Sequence, residues 1–134
     1  MDDAALGTVL WVIRVPIALV FVGMGVAHFL PGPARGMAAI IPPGLRSRGI
    51  LRPLNLVYLT GICEIAGGIG LLVPGTRFLA AIALTLFLIA VFPANAYAAE
   101  HPERFGKVAI PFWPRYLGQL VIIALVLAVG VVPT

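Results

Sequence analysis

The sequence predicts an all-α membrane protein: a four-transmembrane-helix, up-down-up-down bundle with a short interfacial helix between its first and second spans. Three observations carry this reading. Of the 134 residues, 61% are hydrophobic and 10% charged, with a mean hydropathy of +1.09. That leaves too little polar surface to coat a soluble globule. The apolar residues also fall into four stretches, each long enough to cross ~30 Å of hydrocarbon at ~1.5 Å per residue. Finally, these stretches are continuous, without the alternation of barrel strands. Helices satisfy their own backbone groups, as lipid requires.

The first span is expected at residues 6–29 and the second at 54–73. The tight turn Pro74-Gly75-Thr76 leads into the third at 77–98, and the fourth covers 115–132. Links this short pack consecutive helices antiparallel. Residues 30–53 hold Pro31, Pro33, Pro42, Pro43 and Pro53 with Arg35, Arg46, Arg48 and Arg52, around the apolar patch Met37-Ala-Ala-Ile-Ile41. This mixture predicts a short helix lying at the membrane surface, broken by Pro42-Pro43-Gly44. Residues 99–114 are the most polar part, and Trp113 there, like Trp11 near the other edge, suits an interfacial anchor. The whole chain, 1–134, reads as one integral membrane domain.

A net charge of +4 and a pI near 10.0 would suggest nucleic acid in a soluble protein. Here the basic residues lie between the apolar stretches, where they set topology and meet anionic headgroups, so no nucleic-acid partner is expected. The two long loops carry Arg35, Arg46, Arg48, Arg52, Arg104 and Lys107, while the other side has Arg77 and the aspartates Asp2 and Asp3. The positive-inside rule then places both long loops in the cytoplasm and both termini outside, in the plasma or inner membrane. Acidic residues stand where a signal peptide would be basic, so the first span is expected to be retained. Cys63 is the single cysteine. It excludes an intrachain disulfide and is expected to be a small buried apolar residue.

Two ionisable residues lie deep in the spans, Arg14 in the first and Glu64 in the second. Such groups cost at least ~2.5 kcal/mol each in hydrocarbon, so they face a partner or a cavity. At helical spacing Arg14, Ala18, Phe21, Gly25 and His28 form one stripe. Gly61, Glu64 and Gly68 form another, whose small residues allow a close helix approach. Counting inward from Leu6 and from Val73 puts Arg14 and Glu64 at similar depth, which predicts a buried Arg14–Glu64 ion pair. The pair either fixes helix packing or serves function. A second polar cluster is expected at the inner end: His28, Asn95 after the kinking Pro93, and Arg115 with Gln119 at i, i+4. It is a candidate ligand site, with interfacial snorkelling and capping as the plain alternative. No HExxH, paired-His haem pattern or CxxC occurs, so no metal site is expected. His101 falls in a solvated loop and is assigned no role.

These residues carry a resemblance. The chain resembles the DoxX and DoxX-like small integral membrane proteins over nearly its whole length. The matching elements are Arg14, Gly25-Val-Ala-His28-Phe29 with Pro31, and Gly61-x-x-Glu64-x-x-Gly67-Gly68 with Leu71-Leu72-x-Pro74. Arg77, Phe92-Pro93-Ala94-Asn95, and Arg115 followed by Gln119 complete them. The resemblance implies a four-helix membrane bundle associated with redox chemistry. One relative is the small subunit of an archaeal thiosulfate:quinone oxidoreductase, and others accompany oxidative-stress enzymes. Relatives with redox cysteines differ from this chain, which has none to pair.

The leading expectation is a quinone-interacting subunit of a redox complex. Donors at His28, Asn95, Arg115 and Gln119 would suit a quinone carbonyl, and a buried carboxylate could relay protons. No covalent cofactor is expected. The alternatives are a non-catalytic anchor or assembly factor recruiting an enzyme through its basic loops, and a small-solute or proton-coupled transporter. As partners the sequence admits the lipid bilayer, a redox-enzyme subunit and a second copy of the chain. A lipophilic cleft reaching His28 and Asn95 would favour the first reading, a sealed core the second, and a polar path through both layers the third.

Overall fold

The structure, a computed structural model, describes residues 2–101 and 111–132. Among these the chain is all-helical, with four long helices that are apolar enough to cross a membrane by length and composition, and one short one. The long helices are α1 (Asp3–Ala27), α3 (Pro53–Leu72), α4 (Arg77–Glu100) and α5 (Phe112–Val131), and α2 (Pro31–Ala39) is the short one. Arg104 and Lys107, used above to assign sidedness, lie outside the described residues.

The helix starts follow local chemistry. Asp2 caps α1 by accepting from the Ala5 N–H at 2.7 Å, which begins the helix before the apolar run itself does. Pro31 and Pro53 open α2 and α3 at the position where a missing N–H is harmless. α5 starts at Phe112, earlier than expected, because Pro114 falls in the first turn, where an N–H has no intrahelical acceptor. α4 runs through Pro93 as far as Glu100. Between α2 and α3 the chain makes two 3₁₀ turns, Pro43–Leu45 and Gly49–Leu51. Gly49 has φ +88°, a conformation that favours glycine.

α1 packs most extensively on α3, α3 on α4 and α4 on α5, and α1 also touches α5. The α1–α3 contact is set by glycine. Gly25 and Gly61 lie so close that a Cβ on Gly61 would stand 2.9 Å from the Gly25 carbonyl oxygen and 2.7 Å from the His28 Cβ. Further along, Gly68 lies against Ala18 and Phe21, so the two helices run antiparallel. On the other side of α3, Gly67 receives Leu84 of α4 and Gly70 receives Ala80. Gly130 of α5 meets Ala81. An apolar core of Leu10, Phe21, Leu71, Ala81, Leu84, Val126 and Val129 occupies the end of the molecule near the α3–α4 turn. At the opposite end Phe29 stacks on Tyr58 at 5.4 Å, and Phe92 meets Phe112 and Tyr116 edge-on, both at 5.8 Å.

The stripe expected on α1 is buried throughout: Arg14, Ala18, Phe21, Gly25 and His28. Gly61, Glu64 and Gly68 are buried too. Cys63 is not; it is exposed on the outer face of α3. It precedes Glu64 by one residue, about 100° around the helix, so a helix that buries Glu64 turns Cys63 outward.

Candidate functional site

Arg14 and Glu64 do not form the expected pair. The contacts of Gly25 with Gly61 and Ile65, and of Gly68 with Ala18 and Phe21, fix the register of α1 on α3. In that register Glu64 faces residues near 22–25, and Arg14 lies roughly 12 Å or more further along at 1.5 Å per residue. Counting inward from the span ends assumes that the ends are flush, and they are not: α1 overhangs the end of α3.

Each charge has a different neighbour. Arg14 is fully buried and donates Nε–H and Nη2–H to the Val129 carbonyl, at 3.0 and 2.7 Å. That carbonyl belongs to the last turn of α5, and the residue four further on is Pro133, which has no N–H to offer it. A cation at this C-terminus also meets the negative end of the helix dipole. Arg77, expected on the outer side at the start of the third span, does the same for α3. It is buried, and its Nε–H donates to the Leu71 carbonyl at 3.0 Å. Both guanidiniums stand over the Trp11 ring, at 4.5 and 5.1 Å from its centre. Trp11, expected as an interfacial anchor, thus lies about two turns inside α1, packed under two cations. Arg46 repeats the device on α2, donating to the carbonyls of Ile41 at 2.9 Å and Ala39 at 2.7 Å. The signal for these caps was in the sequence, as an arginine and a helix end, but their pairing is made only by tertiary packing.

Glu64 belongs to the other end. Its Oε2 lies 3.2 Å from His28 Nδ1, and the side chains are 9% and 10% exposed. His28 Nδ1 also hydrogen-bonds the Met24 carbonyl one turn back. A carbonyl can only accept, so Nδ1 carries a proton and directs it there. One proton thus has two acceptors, and Glu64 Oε2 receives no aligned hydrogen bond.

His28 and Glu64 open onto a cavity of about 550 Å³, a volume in the range of small-ligand sites. Its walls are mostly apolar, with Met24, Met37, Ile41, Phe87, Leu88 and Val91 among them. Thr60 lies on the α3 side, and Asn95 and Arg115 on the α4 and α5 side. Arg115 donates Nη1–H to Asn95 Oδ1 at 2.8 Å, which leaves the Asn95 amide N–H groups as donors. α2 and the following loop contribute Met37, Ile40, Ile41 and Leu45, so the short helix forms part of the cavity wall. Three members of the expected polar cluster, His28, Asn95 and Arg115, thus line one space together with Glu64. Gln119 is half-buried, one turn along α5, and does not line it. Glu64 was assigned by sequence to the other polar layer.

Among the described residues these features define an all-helical arrangement with four helices apolar enough to cross a membrane, an apolar core at one end and a lipophilic cavity with two polar pairs at the other. Residues 17–130 match the family model described as Domain of unknown function (DUF8561). This is most of the chain, and the protein belongs to that family. No curated protein and no solved structure matches it.

Proposed function

We propose that this chain is a multi-pass membrane protein, an up-down-up-down four-helix bundle, whose cavity holds the headgroup of a quinone-like lipid within a redox-associated complex. The observation that carries this reading is the lipophilic cavity reached by both His28 and Asn95. It combines apolar walls with donors at Asn95 and Arg115 and a carboxylate–imidazole pair at Glu64 and His28. Such a site suits an apolar molecule with polar atoms to be recognised in hydrocarbon. The resemblance to DoxX-like proteins supports the same reading. α2 lies at the membrane surface in this arrangement, with the long loops cytoplasmic and the termini outside.

The test is co-purification. Protein extracted gently from native membrane should carry quinone, and Asn95→Leu and Arg115→Leu should lose it while remaining folded. Wild-type protein free of any quinone would refute the proposal. A second reading, an anchor for a partner enzyme, is favoured by the exposed Arg35, Arg48 and Arg52 around α2 and its following loop. In that case a partner would co-purify with the wild type and be lost on charge reversal of these arginines.

A further inference from the structure

The hydrogen-bonding groups around the cavity are unbalanced. Glu64 is nine-tenths buried, yet its Oε2 accepts no aligned hydrogen bond. The nearest proton, on His28 Nδ1, is directed to the Met24 carbonyl. The Thr60 hydroxyl, one turn away on α3, donates to the Val57 carbonyl at 2.8 Å. The α1 and α3 side of the cavity therefore holds the Glu64 carboxylate, one of whose oxygens is buried with no protein donor aligned on it. A buried acceptor left in this state is costly, and the cost is relieved by any donor that arrives in the cavity. The opposite wall presents donors: the Asn95 amide, whose Oδ1 is occupied by Arg115.

Charge narrows the class of occupant. Among the described residues the lining holds one carboxylate, Glu64, and one guanidinium, Arg115. A cationic occupant would meet Arg115 and an anionic one Glu64, so a neutral molecule fits best. We infer that the cavity selects the hydroxyl-bearing form of its ligand, a neutral phenol or quinol, over the carbonyl-only quinone, with the ligand O–H donating to the Glu64 carboxylate and a ligand oxygen accepting from the Asn95 amide. This rests on the reading of the cavity as a quinone-type headgroup site and adds to it which redox form is held. It is a binding preference and involves no electron transfer.

The test uses the full chain purified in dodecyl maltoside and three probes: 4-pentylphenol, its methyl ether 4-pentylanisole, and decylubiquinone. Binding is measured by titration calorimetry, with partition into empty micelles subtracted. The phenol should bind wild-type protein about tenfold tighter than the ether or more, since a site that hydrogen-bonds a hydroxyl rejects an analogue lacking one. Glu64→Leu should abolish that gap, and Asn95→Leu should weaken the phenol while preserving the gap. If Glu64→Leu does not fold, Glu64→Gln takes its place and should narrow the gap, because a neutral amide accepts more weakly. Equal affinity of wild type for phenol and ether overturns the inference, as does a gap undiminished in either Glu64 variant. Decylubiquinone binding as tightly as the phenol also overturns it, and shows Glu64 donating its own proton to a carbonyl, with the quinone reading intact. Binding of none of the three overturns both.

Discussion

Arg14→Met and Glu64→Leu, made singly and together, ask whether the two intramembrane charges meet. Arg14→Met removes two N–H bonds to the Val129 carbonyl, at 3.0 and 2.7 Å, and leaves that carbonyl without them in a buried place. Hydrogen bonds to charged groups contribute about 1.5–3 kcal/mol, and the contact with Trp11 adds roughly 0.5–2 kcal/mol. Relief of the arginine's desolvation offsets part of this, so a net loss of about 1–3 kcal/mol is expected. Glu64→Leu removes a carboxylate oxygen that accepts no aligned hydrogen bond and fills the space with apolar volume. Its effect should lie within about 1 kcal/mol of zero. With the side chains separated by roughly 12 Å along the helices, the double variant should equal the sum of the singles to within about 0.5 kcal/mol. His28→Leu combined with Glu64→Leu is the contrasting case, because that pair is in contact at 3.2 Å; its coupling should be about 0.5–3 kcal/mol. Unfolding in mixed micelles by added dodecyl sulfate, followed by tryptophan fluorescence and circular dichroism, provides the free energies. A coupling of about 2 kcal/mol between Arg14 and Glu64, or none between His28 and Glu64, would refute this assignment.

Gly61→Leu should destabilise by about 1–3 kcal/mol in the same assay, because its Cβ meets the Gly25 carbonyl and His28. Gly118→Ala should be near neutral, since nothing lies within 4 Å of the added carbon. In membranes, Cys63 should be protected from a membrane-impermeant charged maleimide and react far more slowly than a water-exposed cysteine with an apolar one, because hydrocarbon disfavours the reactive thiolate; rapid labelling by the charged reagent would show that it faces water. An Arg48→Cys variant in a Cys63→Ala background should label only from the cytoplasmic side. Labelling from outside intact cells would reverse the proposed orientation.

Much of the helical framework was legible in the chain. The continuous apolar runs and the Pro74-Gly75-Thr76 turn predicted all four long helices within a few residues of where they lie, and the errors fell at the ends, where Asp2 and Pro114 extend α1 and α5. Period also identified the buried stripes, because Arg14 and His28, or Gly61 and Glu64, are conspicuous among residues that are otherwise all apolar. It failed at Cys63 for the same reason. In a helix whose outer face is as apolar as its inner one, a small residue of no charge carries no mark of which way it points.

The sequence by itself determined that the chain folds as long apolar helices, and which faces carry the polar and the small residues, because hydropathy and the 3.6-residue period are local properties. Only the tertiary structure decided what those faces meet. The slide of α1 along α3 is set by how deeply Gly25, Gly61 and Gly68 let the backbones approach. That slide separated Arg14 from Glu64, carried Arg14 to the C-terminus of α5, and brought Glu64 to His28 beside Asn95 and Arg115. Register between two helices depends on packing summed over the whole contact, and no spacing within either helix encodes it.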